Sequence, residues 1–173
     1  MEYLLVDGYN IINAWKDYFD LSRETLEECR EKLLNILSNY EGYQKIKIIV
    51  VFDAHMVKGS VNKEEEFDNI TVVYTEENQT ADNYIERFVY QYGNIHTIRV
   101  ATSDYLEQSI VLKYGAARMT PRELKEQVES INNIMTRKFS KKSKPDRNTL
   151  ASNVSSELLE KLEKMRRGEK TEE

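Results

Sequence analysis

Residues 3–10 read YLLVDGYN, a short apolar run that ends in an aspartate and continues through a glycine. An apolar run ending in aspartate recurs in IIVVFD at residues 48–53 and in IRVATSD at residues 98–104. Each run has the length and composition of a buried strand. In an α/β protein with parallel strands, the carboxyl ends of neighbouring strands meet at one edge, where ligands bind. The pattern therefore predicts that three aspartates share one crevice: Asp7, Asp53 and Asp104.

Segments with helical spacing separate these strands. Apolar periodicity predicts a helix after the first strand, a second over residues 22–40 that Gly42 closes, and a third over 81–92 behind a Thr80 cap. Further expected elements are strands over 45–52, 70–75 and 96–102, an edge strand over 117–119, and a helix from the capping box at Thr120 to residue 138. This alternation predicts a mostly parallel α/β sheet with helices on both faces.

The domain organisation follows from where this alternation stops. Residues 1–139 are expected to form one domain, and residues 140–173 a polar, basic linker followed by an amphipathic helix over 155–167. No apolar run approaches the ~20 residues that span a bilayer. The single cysteine, Cys29, has no internal disulfide partner, so it fits a reducing compartment and a packing role on a helix. We expect a cytoplasmic protein without membrane contact.

The net charge of −5 conceals an uneven distribution of charge along the chain. Residues 62–86 carry eight acidic residues against Lys63, and residues 137–148 carry six basic residues against Asp146. A net negative chain does not suit a general polyanion binder, because polyphosphate partners demand a basic surface. The distribution instead predicts a metal near the acidic centre and phosphates near the basic region.

Three carboxylates in one crevice repel each other, by roughly 4 kcal/mol for a pair about 4 Å apart at an effective dielectric near 20. Such a cluster needs a cation or a raised pKa, and a divalent metal is the simplest solution. Asp82 adds a fourth acid in the first turn of its helix, and Glu86 lies one turn further on the same face. Each aspartate alone is also explained as a turn residue or a favourable first-turn acid. Their combination is what favours a metal site.

Neutral oxygen groups accompany the acids. The Asn10 amide and the Ser103 hydroxyl are expected to support one or two Mg²⁺ or Mn²⁺ ions, although Ser103 also reads as an ordinary cap of the next helix. Magnesium takes few carboxylates directly and keeps several waters, which neighbouring acids and amides orient. The chemistry that a divalent cation supplies at such a site is hydrolysis of a phosphodiester.

Nucleotide-cofactor binding is disfavoured by the motifs that the sequence lacks. It contains no glycine-rich phosphate loop with lysine, and no G-x-G-x-x-G follows the first strand. A phosphotransferase whose own Asp-x-Asp motif carries the phosphorylated aspartate is also disfavoured. It would need an acid at position 9, which is Tyr9 in this chain.

Four short motifs in this order resemble a known family. They are DGYN at residues 7–10, FDA at 52–54, TAD at 80–82 and TSD at 102–104. Over about residues 1–140 the chain resembles the YacP-like branch of the NYN domains, which are PIN-like nucleases. Each motif is weak alone, and the specificity lies in the set.

The resemblance implies a PIN-like three-layer α/β/α fold and divalent-metal-dependent endoribonuclease activity on single-stranded RNA. Within the family, the chain is similar to ribosome-associated mRNA endonucleases of Gram-positive bacteria, which implies mRNA as substrate and the ribosome as partner. The resemblance also implies which acids surround the metal: Asp7, Asp53, Asp82 and Asp104.

Contacts with RNA are expected from a basic arm, defined as residues 137–147, whose side chains neutralise phosphates. Its cationic residues are Arg137, Lys138, Lys141, Lys142, Lys144 and Arg147. The alternative for this arm is a solvated linker. Tyr9 and Tyr105, each beside an expected ligand, are candidates for stacking on bases.

Two other functions compete with the nuclease reading. One is a non-catalytic RNA- or ribosome-binding module that keeps a nuclease scaffold, and the other is a small-phosphate hydrolase that uses the same acids. The negative surface near the expected site also predicts that naked RNA is a poor substrate unless a partner delivers it.

Overall fold

The computed structural model describes residues 1–53, 63–76, 79–104 and 114–142, with side chains described as far as residue 137. The chain divides into two units, Met1–Asn132 and Asn133–Glu173, and the fold described below is that of the first. None of the described helices is long and apolar enough to cross a membrane. Most of the helix expected after the Ser103 cap lies outside the described residues, as do the predicted helix over 155–167 and most of the linker expected from residue 140 onward.

The described elements alternate between strand and helix over most of the chain. In chain order they are β1 (Glu2–Asp7), α1 (Gly8–Ala14), α2 (Leu26–Gln44), β2 (Lys47–Phe52), β3 (Lys63–Phe67), β4 (Ile70–Tyr74), α3 (Ala81–Tyr92), β5 (Thr97–Ala101), β6 (Ala117–Met119) and α4 (Pro121–Lys142). They form an α/β fold.

The sheet has the strand order β3-β4-β2-β1-β5-β6, with β1 near its centre. All neighbouring pairs are parallel except β3 with β4. In the register, Asp7 lies opposite Val51 of β2, and Val6 lies opposite Ala101 of β5. The carboxyl ends of three adjacent strands therefore stand level at one edge of the sheet, as the sequence predicted.

Both faces of the sheet are covered because strand side chains alternate in direction. Leu5, Val51 and Val100 face α3, where they pack in one cluster with Ile85 and Val89. The intervening side chains, such as Phe52, face the opposite side, where Phe52 meets α1. Burial of these apolar side chains is the main source of stability, at about 25 cal/mol per Å² of apolar surface removed from water.

Helix α2 differs from its predicted bounds at both ends. It begins behind Thr25, whose side chain forms a capping box with Glu28, instead of at Ser22. It continues through Gly42 and ends at Lys45, which adopts a left-handed conformation with φ of 56°. The prediction that Gly42 closes the helix is wrong, because a non-glycine residue supplies the terminating backbone turn.

Strand β3 was missed by the sequence prediction. It reads KEEEF, and its acidic composition is unusual for a strand. The strand pairs antiparallel with β4 across a turn at Asp68, which has φ of 51°. As the outermost strand it benefits from charge, because exposed acids discourage pairing with another chain.

Other predicted elements are confirmed. Helix α3 has the predicted bounds and its Thr80 cap, and β6 is the expected edge strand beside β5. The capping box of Thr120 with Glu123 starts α4, which extends to Lys142 instead of ending at residue 138. Cys29 is buried on α2 as expected for a packing residue.

Candidate metal centre

Three of the predicted acids lie at the carboxyl edge of the sheet. Asp7 is the last residue of β1, Asp53 directly follows β2, and Asp104 is the third residue after β5. Because β2 and β5 flank β1 and run parallel to it, these residues lie around the end of the central strand. The structure thus brings together residues that are 97 positions apart in sequence (104 minus 7).

Helix α3 supplies the fourth acid. Its N-terminus is capped by the Thr80 side chain, which accepts from the Asn83 backbone N–H at 3.2 Å. Asp82 occupies the first turn behind this cap, and Glu86 follows one turn later, half-buried. Asp82 is close enough to the acids of the sheet edge to repel them electrostatically.

Burial and mutual repulsion raise the pKa of two members of this acid cluster. Burial raises the pKa of Asp7 from 3.8 to about 6, and repulsion by Asp82, Asp53 and Asp104 adds to the rise. Burial also raises the pKa of Asp82, followed by repulsion from Asp104 and Asp53. Asp82 is exposed at the surface, whereas Asp7 is only partly exposed, so solvent screens Asp82 more effectively.

The start of α1 holds Asp7 in place. The Asp7 carboxylate caps this helix by accepting from the Asn10 backbone N–H at 3.2 Å. Gly8 is required between them, because a Cβ there would lie 2.2 Å from the Phe52 ring. Helix α1 can therefore begin directly at the end of β1, beside the end of β2.

Asn10 and Ser103, both predicted to support the site, contact each other. The Asn10 side-chain oxygen accepts from the Ser103 backbone N–H at 2.9 Å and also from the Ser103 hydroxyl. This contact joins the first turn of α1 to the segment that carries Asp104. The two contacting residues lie near Asp7 and Asp104 in the chain.

Two buried threonines complete the edge, and the sequence analysis did not single out either of them. Thr75 follows β4 and donates from its hydroxyl to the Asp53 carboxylate at 3.4 Å. Thr102 follows β5 and accepts from the Asp104 backbone N–H at 3.0 Å. Thr75 directly follows β4, just as Asp53 directly follows β2. This shared position after a strand could have indicated from the sequence that Thr75 lies at the site.

Tyr9 does not present its ring for stacking. Only 9% of the residue is exposed, and the ring packs edge-on against Phe52 with centroids 5.1 Å apart. Its hydroxyl accepts from the Arg30 guanidinium at 2.9 Å. The expectation of a base-stacking Tyr9 is corrected by this burial. The sequence analysis missed Arg30, which reaches Tyr9 from α2.

The other predicted RNA-binding residues are only partly described. Arg137 is exposed on α4, and Lys138, Lys141 and Lys142 belong to the same helix, without described side chains. Tyr105, Lys144 and Arg147 lie outside the described residues.

The donor set fits a hard divalent cation. Every polar group named above at the edge offers oxygen, which Mg²⁺ and Mn²⁺ prefer. Within residues 1–53, 63–76, 79–104 and 114–142, no three His, Cys, Asp or Glu side chains converge into a ready-made metal cluster. Magnesium does not require one, because it keeps several waters and binds through one or two carboxylates. The elevated pKa of Asp7 indicates a position that a cation would stabilise.

Comparison with known proteins decides the family. The sequence model of the YacP-like NYN domain family matches residues 4–167 of this chain. The chain belongs to the YacP-like NYN domain family. The match extends beyond the approximately 140 residues over which the sequence motifs resemble the family, so it includes the basic arm.

Relatives of this YacP-like NYN protein support the assignment. The chain is 42% identical over 171 residues to the uncharacterized protein YacP of Bacillus subtilis strain 168. The alignment covers 98% of this chain and 99% of that protein. The crystal structure of Rae1 (YacP) from Bacillus subtilis matches with a TM-score of 0.71 and 42% identity, covering 97% of this chain and 96% of that one. A tryptophan-to-leucine mutant of Rae1 matches with a TM-score of 0.73 and 38% identity, covering 88% and 89% of the two chains.

Family membership indicates a nuclease-type, RNA-related function for this YacP-like NYN protein. NYN and PIN-like nucleases generally use divalent metals. The acid cluster is the part of the structure in which such a metal would find oxygen ligands.

Proposed function

We propose that this YacP-like NYN protein is a divalent-metal-dependent endoribonuclease that cleaves single-stranded RNA. The observation that carries the proposal is the position of Asp7, Asp53 and Asp104 at the carboxyl ends of three neighbouring parallel strands, with Asp82 of α3 close enough to interact with them electrostatically. A Mg²⁺ or Mn²⁺ ion held there, singly or as a pair, would supply the Lewis-acid chemistry of phosphodiester hydrolysis.

The protein's own residues would hold and orient this centre. Asp7 is fixed by its cap on α1, and Asp53 is held by Thr75. The Asn10 contact with Ser103 keeps the Asp104 segment beside α1. Glu86 extends the acidic surface along α3 and would orient water near Asp82. A rigid arrangement of this kind lets the RNA phosphate approach without reorganising the site.

Substrate delivery is part of the same proposal. The acidic cluster repels free RNA, so we expect the substrate to be mRNA presented in the cytoplasm by the ribosome, with the basic arm contacting phosphates. Naked RNA should then be cut slowly. Mapping of 5′ ends in cellular transcripts, with and without the intact acids, would locate the cleavage sites.

The decisive experiment combines Asp7→Asn with Asp82→Asn in one variant. Cleavage of single-stranded RNA in Mn²⁺ should fall at least about 100-fold, because removing charge at a metal or its surrounding acids costs about 10- to 100-fold per residue. RNA binding should remain. The control is Asp17→Asn. In the wild type, the exposed Asp17 follows α1 and its carboxylate pairs with Lys125. The Asp17→Asn variant should cut RNA normally.

Two outcomes would contradict the proposed endoribonuclease activity. If the double variant still cuts RNA at the wild-type rate, Asp7 and Asp82 do not take part in the cleavage reaction. A wild-type protein that binds RNA or ribosomes in Mn²⁺ but never cuts would instead support the non-catalytic binding module.

A further inference from the structure

A second polar cleft lies beside the acid cluster on α3. It has a volume of about 480 Å³ and is lined by residues of α3 and of the segments before it and after β5. Its position follows from two neighbours of the acids. Glu76 comes directly after Thr75, which contacts Asp53, and Glu86 lies one turn beyond Asp82. RNA bound across the acid cluster would therefore pass this cleft.

Gln79 leaves a hydrogen-bonding group for a ligand. Its side-chain amide nitrogen is buried and has no hydrogen-bond partner among the residues that the structure describes, although the Gln79 backbone N–H donates to the Glu76 carbonyl at 2.9 Å. Buried polar groups are normally paired, and an exception calls for a specific explanation. A ligand acceptor in the cleft would pair with this amide.

Tyr90 offers a surface on which a flat ring can stack. It is 69% exposed although it is large and aromatic, and it lies on the rim of the cleft. The Tyr114 ring meets it edge-on, with centroids 5.3 Å apart and an interplanar angle of 90°. This contact supports the Tyr90 ring and leaves a face available. Aromatic side chains of this kind are where single-stranded nucleic acids stack their bases.

The charges of the cleft exclude a phosphate and favour a base. Glu76 and Glu86 contribute two carboxylates against the single guanidinium of Arg87 among the described lining residues. Carboxylates only accept hydrogen bonds, so the ligand must donate to them. An exocyclic amino group on a nucleobase donates in this way, while its ring nitrogen or carbonyl accepts from Gln79.

We propose that this cleft is a base-binding subsite, which holds one nucleobase of the RNA near the cleaved bond and prefers bases with an exocyclic amino group. The proposal rests on the proposed nuclease function for its substrate. Gln79, Glu86 and Tyr90 are then specificity determinants, and uracil, which lacks the amino group, is the disfavoured base.

Cytidine and uridine are the matched probes, because uridine carries an oxo group in place of the exocyclic amino group of cytidine and an N–H in place of the neighbouring ring nitrogen that accepts in cytidine. NMR titration of the full-length protein in EDTA should show cytidine shifting the Gln79 and Tyr90 signals, with about ten-fold weaker binding of uridine. Gln79→Met and Tyr90→Ala should each weaken cytidine about ten-fold, the effect of losing a stacking contact or a specific hydrogen bond. Gln44→Met and Tyr43→Ala, exposed residues on α2, are the controls and should bind as wild type.

A companion experiment maps cleavage of an RNA library by the wild type and by Gln79→Met. The variant should cut with less discrimination against uracil at one position near the cleavage site. Equal affinity for the two nucleosides, or no shifts up to their solubility limit, would overturn the subsite even if RNA is cleaved. If the protein binds cytidine but cuts no RNA, the base-binding subsite is supported and the proposed nuclease activity is contradicted.

Discussion

At the scale of single residues, Asp7 combines two roles that oppose each other. Its carboxylate stabilises the start of α1 by capping it, and the Asn10 N–H lowers its pKa. Burial and three neighbouring acids act in the other direction and leave the pKa at about 6. The ionised form is therefore unfavourable in the folded, metal-free protein, which is the property expected of a residue that a cation must neutralise.

Asp7→Asn should stabilise the metal-free protein at pH 8. Because the folded pKa lies above the ordinary 3.8, the folded state binds the extra proton, and stability falls as pH rises from about 4 to above 6. Asparagine retains the cap and carries no charge. Urea denaturation in EDTA should give a gain of about 1–3 kcal/mol at pH 8 and little gain at pH 4.

The control for this prediction is Glu27→Gln, an exposed acid in the first turn of α2. Its effect should stay within about 0.5 kcal/mol at both pH values, as for ordinary surface substitutions. An Asp7→Asn gain of equal size at pH 4 and pH 8 would show that the stabilisation does not arise from ionisation. Added Mn²⁺ should stabilise the wild type and leave the variant unchanged.

At the scale of elements, the site depends on how closely the start of α1 approaches the end of β2. Gly8 lies against the Phe52 ring, which in turn packs between Tyr9 and Tyr74. This contact sets where Asp7 and Asp53 stand relative to each other. The apolar runs that end in aspartate predicted the acids, whereas this steric contact decides their spacing.

Gly8→Ala should destabilise the protein by about 1–3 kcal/mol, because the new methyl group overlaps the Phe52 ring and the core must shift. Combining it with Phe52→Leu should recover part of that loss relative to Phe52→Leu alone. Chemical denaturation of the four proteins in this cycle measures the coupling. An additive cycle would contradict the contact.

Gly42→Ala is the opposite case and serves as the control. Gly42 lies on an exposed part of α2, and a Cβ there meets only the Asn69 side chain at 3.6 Å. Alanine favours a helix over glycine by about 0.5–1 kcal/mol, so this variant should be more stable than the wild type.

At the scale of the whole molecule, the distribution of charge separates an acidic centre from a basic arm. The chain carries 25 basic and 30 acidic residues, and the arm holds six of the cations within residues 137–147. Attraction to RNA must then come from a limited part of the sequence. Its strength should depend steeply on salt, because each neutralised phosphate releases counterions.

Replacing five cations of the arm by glutamine should flatten this salt dependence. The positions are Lys138, Lys141, Lys142, Lys144 and Arg147. The slope of log K against log salt for single-stranded RNA should fall by about 3.5, at roughly 0.7 for each of five lost phosphate contacts. Fluorescence anisotropy over a salt series measures the slope.

The matched control replaces five exposed cations outside the arm: Lys16, Arg23, Lys45, Lys47 and Arg122. Both variants carry the same net charge, so a general electrostatic effect would change their slopes equally. Equal slopes would therefore assign the arm to the solvated linker and not to RNA contact.

The sequence by itself determined the features that follow from local pattern. Three apolar runs ending in aspartate predicted adjacent parallel strands with acids at one edge, since strand burial and strand direction are written in consecutive residues. The caps of α3 and α4, at Thr80 and Thr120, were equally readable, because a cap and its partner lie three residues apart.

Only the tertiary structure decided the features that depend on contacts through space. The Asn10 link to Ser103 joins residues 93 positions apart, and Thr75 meets Asp53 only because β4 lies beside β2. The burial of Tyr9 likewise depends on packing against Phe52. Strand β3 pairs despite its acidic sequence, because the backbone of β4 supplies hydrogen-bond partners that local propensity does not register.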